Sequence, residues 1–186
     1  MLDLELIAHE TLRRITRDEY ERMVSIGMFA DERVELIHGA LVAMSPHDPR
    51  HASPVAILNE LLVLALARRA HVRVQLPVIA HDDSEPEPDL AVVPLGDYSA
   101  AHPDEALLVI EVSDSSLRKD RLVKGPLYAA SGFREYWLVN VEAQQVEVHR
   151  GPSPDGWASI TRHRRGESIS PEAFADVIVQ IADVLK

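Results

Sequence analysis

The chain has 186 residues, 46% hydrophobic and 26% charged, with no cysteine. That length suits one domain, 1–186, with 1–14 expected as a loosely ordered lead, and the missing cysteines exclude disulfides, thiolate metal sites and cysteine nucleophiles. A net charge of −11 argues against a passive nucleic-acid coat, which is usually basic, but suits an enzyme whose acids hold a divalent cation.

The opening MLDLELIAHETLRR mixes acids among its apolar residues, so it is not read as a secretory signal. The longest apolar run, Leu61 to Ala67, is far too short to cross a bilayer. Both point to a cytoplasmic protein with no membrane partner. Thr16 and Glu19 form a capping box before the helical spacing of Tyr20, Met23, Val24 and Met28, and Gly27 marks the end. RVELIHGALVAMS reads as a hairpin turning at His38-Gly39, with Val34, Leu36, Leu41 and Ala43 inward. After a proline-bearing loop, Ser53 and Pro54 cap and open a helix whose apolar face is Val55, Leu58, Leu61, Leu62, Ala65 and Leu66.

Alternation predicts a strand over 72–78, with Pro77 placing it near an edge or bulge. DLAVV and ALLVIEV are unbroken apolar runs, the pattern of strands covered on both faces. Ser115 or Ser116 caps a helix over about 119–131. EYWLVNV and QQVEVHR are strands joined by a tight turn, the second of them an exposed edge open to a second copy; WASITRH and DVIVQIADVL supply shorter elements. The whole is an α/β domain with a mixed sheet.

Chemistry concentrates where acids meet apolar strands: Glu35 in VELIHG, Asp89 in EPDLAVV and Glu111 in LLVIEVSDSS, with Lys124 following in RKDRLVKGPLY. Glu111 is a lone acid inside a core run, where an unpaired charge is very costly. If the strands of Asp89 and Glu111 are neighbours, two carboxylates converge on one hard cation such as magnesium, which keeps several waters. Bland readings stand beside this one. Lys124 can pair with Asp120 on a helix surface, Tyr128 can be core packing, and Glu35 an exposed strand residue. Arg50 and His51 are either a solvated loop or phosphate contacts at a helix N-terminus. The basic cluster RHRRGE is either a solvated strand end or a surface where DNA lies.

The ordered set VELIHGALVAMSP…RH, EPDLAVV and LLVIEVSDSSLRKDRLVKGPLYAASGFREYWLVNVEAQQVEVHR resembles the Uma family of putative restriction endonucleases, of the PD-(D/E)XK nuclease superfamily. The resemblance implies a restriction-endonuclease-like fold, a central mixed β-sheet flanked by helices. It implies Asp89, Glu111 and Lys124 as catalytic residues, and Glu35, Asp89 and Glu111 as ligands of Mg2+ or Mn2+. It further implies DNA as substrate and a homodimer. Ser113 stands where the superfamily motif has its lysine, and Lys124 matches the family's position on the next helix. Gly125-Pro126 departs from a regular helix: it either kinks the helix away from the site or sits harmlessly in a first turn near Val123. The alternative function is a catalytically inactive nuclease-fold module for binding or dimerisation.

Overall fold

In the computed structural model, which describes residues 13–46 and 48–185, the chain enters through helix α1, Arg17–Ser25. The capping box forms as read, Thr16 accepting from the Glu19 amide while Glu19 reaches back to Thr16. Most of the expected loose lead, 1–12, lies outside the described residues.

The hairpin pairs β1, Val34–Ile37, with β2, Ala40–Ala43. His38 and Gly39 both take positive φ, 48° and 76°, as a type I′ turn requires. The inward set differs from the alternation. All four β1 residues are buried, Glu35 included, whereas Leu41 and Ala43 lie at the surface. β2 is the outer strand of a two-stranded ribbon, while β1 packs its Val34 and Leu36 against Tyr20 of α1.

Helix α2, Pro49–Leu66, starts four residues before Ser53. Asp48 is the cap, its carboxylate accepting from the His51 amide at 3.0 Å, and Pro49 takes the first turn, where its missing N–H costs nothing. Pro54 therefore lies inside the helix, one turn in. The early start carries His51 onto the helix.

A six-stranded sheet follows: β3 (His71–Val74), β4 (Leu90–Val93), β5 (Leu108–Ser113), β6 (Glu135–Asn140), β7 (Gln145–Ser153) and β8 (Gly156–Arg164), adjacent in that order. Only β5 and β6 are parallel. Between them the chain crosses over through α3 (Leu117–Lys119), a π-helical turn (Asp120–Lys124) and α4 (Gly125–Ala130). β3 is an edge, as expected, but it stops at Val74 rather than running to 78: Gln75 turns the chain with φ 51°, and Pro77 lies beyond the strand. β7 is not an edge: WASITRH pairs along it as β8, so the free edge is β8 and the exposed-edge expectation for 145–150 fails. β9 (Ser168–Ile169), β10 (Val179–Gln180) and α5 (Ile181–Val184) close the chain.

Strand alternation divides the core in two. Leu90, Val92, Leu108, Ile110, Val112, Trp137 and Val139 face α2 and α5. Ala91, Val93, Val109, Tyr136 and Leu138 face α4 through Leu127 and Tyr128. Each fully buried leucine or isoleucine contributes about 1.5–3 kcal/mol relative to exposure, so both helical layers are held firmly against the sheet. Odd-numbered β5 residues belong to the α4 side, which is where Glu111 points. Among the described residues no helix is long and apolar enough to cross a membrane.

Candidate active site at the mouth of strands β4 and β5

β4 and β5 pair from Leu90 opposite Ile110; Asp89 lies in the bend just before that first pair and Glu111 just after it on β5, so the two carboxylates share one end of the sheet. Asp89 Oδ2 accepts from the Val112 amide at 2.8 Å and lies 3.0 Å from His51 Nε2. Burial pushes the Asp89 carboxyl up, but His51, the Val112 amide and Lys124 outweigh it and hold it below its usual range. Asp89 in turn keeps the His51 imidazole above its ordinary value against the opposing effect of burial.

Glu111 Oε1 receives Lys124 Nζ at 2.6 Å and the Tyr128 hydroxyl at 2.6 Å. Lys124 Nζ also lies 3.0 Å from Glu35 Oε2, and Lys119 Nζ lies 2.9 Å from Glu35 Oε1. Burial drives the Glu111 carboxyl up to about 8; Lys124 opposes this, while Asp120, Asp89 and Glu35 reinforce it. Burial alone would lower the Lys124 ammonium, but the surrounding carboxylates raise it. Glu35 stays below its usual range because its two lysines outweigh burial.

The crossover helix places this set by a repeated spacing of four: Ser116, Asp120, Lys124, Tyr128. Four residues overshoot an α-helical turn by about 40°, so such a column drifts around a regular helix. The π-turn, closed by the Gly125 amide on the Asp120 carbonyl, underwinds the helix and corrects the drift. It also widens the backbone where the Pro126 ring would strike the preceding turn. Pro126 thus sits harmlessly in the first turn of α4, which starts at Gly125 rather than near Val123 and continues from the π-turn, and Lys124 remains aimed inward, its side chain 3% exposed. A Cβ on Gly125 would stand 3.3 Å from both the Asp120 carbonyl and the Tyr136 ring, so the small residue permits this turn. Ser113, at the motif-lysine position, donates to Asp120 Oδ2 at 2.7 Å, and Ser116 donates to the same oxygen.

Beside them opens a cleft of about 160 Å³ lined by seven carboxylates (Glu35, Asp48, Glu87, Asp89, Glu111, Asp114 and Asp120) against Lys119 and Lys124. Asp89, Glu111, Lys124, Glu35 and His51 all lie in it. Arg50 does not; its guanidinium is exposed and reaches Asp114 at 3.4 Å on the rim. The surface pair of Lys124 with Asp120 is replaced by buried contacts to Glu35 and Glu111. Sequence reading missed Lys119 and Asp120 as site residues and left Tyr128 as packing. The spacing of four from Ser116 to Tyr128 was the available signal for Asp120 and Tyr128.

A divalent cation fits this donor set in a sparse way. Among the described residues the hydrogen bonds on Asp89 end at Oδ2 and those on Glu111 at Oε1, leaving one oxygen of each for a cation. Both oxygens of Glu35 are taken by lysines. No three Asp, Glu or His side chains among the described residues come close enough together to hold an ion by themselves. Two carboxylates completed by water are what magnesium commonly accepts.

The family model described as "Putative restriction endonuclease", Uma2, matches residues 17–182. The chain belongs to this family. The fold of this chain is similar to that of a solved structure, a "putative nuclease belonging to DUF820" from Anabaena variabilis, which is 18% identical over 91% of this chain and 97% of that one, with a TM-score of 0.75. At that identity the likeness shows a shared fold, a mixed six-stranded sheet flanked by helices. No curated protein matches the chain.

Proposed function

We propose that this chain is a divalent-metal-dependent endonuclease that hydrolyses phosphodiester bonds in DNA. The observation that carries the reading is the convergence of Asp89, Glu111 and Lys124 in one cleft: two carboxylates at the same end of the β4–β5 pair, with a buried ammonium 2.6 Å from one of them. The family description supports nuclease chemistry; metal, DNA and cleavage are the proposal.

Magnesium or manganese held by Asp89 and Glu111 would supply an acidified water and charge for the scissile phosphate. The protein's own residues do the rest. His51 and the Val112 amide fix Asp89 through Oδ2, so its other oxygen is presented to the cleft. Tyr128 and Lys124 do the same for Glu111 through Oε1. Lys124 keeps a fixed positive charge beside the reacting phosphate, where preorganised charge acts without reorganisation. Glu35, with a lysine on each oxygen, holds the buried Lys124 in place rather than ligating.

The test is cleavage of plasmid and oligonucleotide DNA in manganese. Wild-type protein is expected to cut, and Asp89→Asn, Glu111→Gln and Lys124→Met each to lower the rate at least a hundredfold. Cleavage that persists unchanged in the first two variants overturns the assignment.

A further inference from the structure

The charge balance of the cleft poses a problem that Lys124 does not solve. Seven carboxylates face two lysines, in a chain of net charge −11, and a phosphate backbone approaching this mouth is repelled. Lys124 cannot draw it in, because its side chain is 3% exposed and already engaged by two carboxylates.

Three other cations ring the mouth, each held on a carboxylate that lines it. Lys119 Nζ lies 2.9 Å from Glu35, Arg33 Nη2 2.7 Å from Glu87 and Arg50 Nη2 3.4 Å from Asp114. Their side chains are 38%, 46% and 64% exposed. They come from three separate places: the loop before β1, the first turn of α2, and α3. The carboxylates are less open, at 17% for Glu87, 18% for Asp114 and 0% for Glu35. Arg33 and Arg50 hold pairs at the surface, where an exposed pair contributes only about 0–1 kcal/mol. Glu35 keeps Lys124 on its other oxygen when Lys119 turns away, so no buried charge is left alone. A buried pair such as Lys124–Glu111 does not open in this way, since separating it costs about 3–5 kcal/mol.

We propose that Lys119, Arg33 and Arg50 form an exchangeable phosphate rim, which contacts the nucleic-acid backbone across the cleft as each cation turns from its carboxylate. The inference rests on the endonuclease reading and adds the residues that bind substrate. The carboxylates left behind, Glu35, Glu87 and Asp114, line the same cleft as the proposed divalent ion, so its positive charge replaces the cations that leave. Backbone binding and divalent-ion binding therefore support each other, and that coupling is reciprocal. The rim lets a strongly acidic protein hold a polyanion locally.

Fluorescence anisotropy of labelled single-stranded and duplex DNA, across a salt series, reads this without turnover when run in millimolar calcium and again in EDTA. Wild-type protein is expected to bind at least tenfold more tightly in calcium. Lys119→Gln, Arg33→Gln and Arg50→Gln should each weaken binding and flatten the plot of log affinity against log salt by roughly 0.7–0.9. Lys119→Arg should retain the slope, which separates loss of charge from loss of fold. Arg134→Gln is the control, since Arg134 pairs with Glu105 at the opposite end of the sheet, beside the start of β6. If wild-type protein binds and the triple variant keeps both its affinity and its slope, the rim is wrong and the endonuclease reading stands. Failure of wild-type protein to bind either DNA overturns both.

Discussion

Lys124 Nζ stands 2.6 Å from Glu111 Oε1, with both side chains almost wholly buried at the junction of the crossover helix and the sheet. Neither charge is tolerable there alone. Removing one partner of such a pair costs about 3–5 kcal/mol. Lys124→Met should fall at the lower end, about 3 kcal/mol, because burial already pushes the Glu111 carboxyl up and, with the opposing ammonium gone, it can take up a proton. Urea unfolding of Lys124→Met, Glu111→Gln and the double variant tests this. The double variant should be more stable than the sum of the two losses predicts, by roughly 1–3 kcal/mol. Strict additivity would mean that the two side chains do not compensate each other.

Tyr128 donates to the same Glu111 oxygen at 2.6 Å from within the α4 layer. Tyr128→Phe keeps the ring and its packing against Phe133 and Tyr136, so it removes one hydrogen bond and little else. A bond to a charged group contributes about 1.5–3 kcal/mol, and the stability loss should lie in that range. Cleavage should slow about tenfold through kcat, the equivalent of about 1.4 kcal/mol, with KM unchanged. A KM effect of that size with kcat intact would place Tyr128 in substrate binding instead.

The core strands were legible because LAVV and LVIEV carry no alternation, and the lone acid Glu111 declared itself by its cost. What puts Asp89 beside it is a pairing register, and pairing is a property of two segments that neither contains. Lys124 stands near the strand acids in the sequence, but its catalytic role comes from the family's motif order; a lysine among RKDRLVK looks like helix surface until the π-turn redirects it. That turn depends on Gly125, Pro126 and the Tyr136 ring acting together. His51 was flagged for its place at a helix N-terminus, but its contact with Asp89 needed the helix to begin at Pro49, and Ser53-Pro54 offered a competing start of equal local quality. Lys119 had no signal at all, since its partner Glu35 is 84 residues away.

Glu85 is buried beneath the β1 ribbon, and its Oε2 has no hydrogen-bond partner among the described residues. Burial, together with Glu21 and Glu87, pushes its carboxyl up to about 7 against the pull of Arg17. Between about pH 4.5 and 7 the folded chain therefore holds a proton that the unfolded chain releases. That stabilising contribution is complete below about 4.5 and lost as pH rises through 7. The shift corresponds to about 2–3 kcal/mol at pH 8. Glu85→Gln should be more stable than wild-type protein at pH 8 by up to that amount, with the difference shrinking towards pH 5. Urea unfolding at both pH values measures it; an equal difference at the two would show that Glu85 does not titrate in this window.

His149 has the opposite sign. Its ring is buried between Tyr136 and Trp157, at centroid distances of 5.1 Å and 5.9 Å, and neither nitrogen has a hydrogen-bond partner among the described residues. Burial lowers the imidazole to about 4, although nearby Glu147 favours its charged form. From about pH 6.5 down to 4 the unfolded chain binds a proton that the folded chain refuses, so stability falls as pH falls through this window. His149→Phe keeps an aromatic ring in the stack and removes two unsatisfied nitrogens. It should flatten the acid side of the stability profile, gaining about 2–3 kcal/mol over wild-type protein near pH 4 and less at pH 7. Thermal unfolding of the two proteins across pH 4–7 checks the expectation. A gain that is the same at every pH would come from packing alone, and the buried imidazole would then play no part in acid sensitivity.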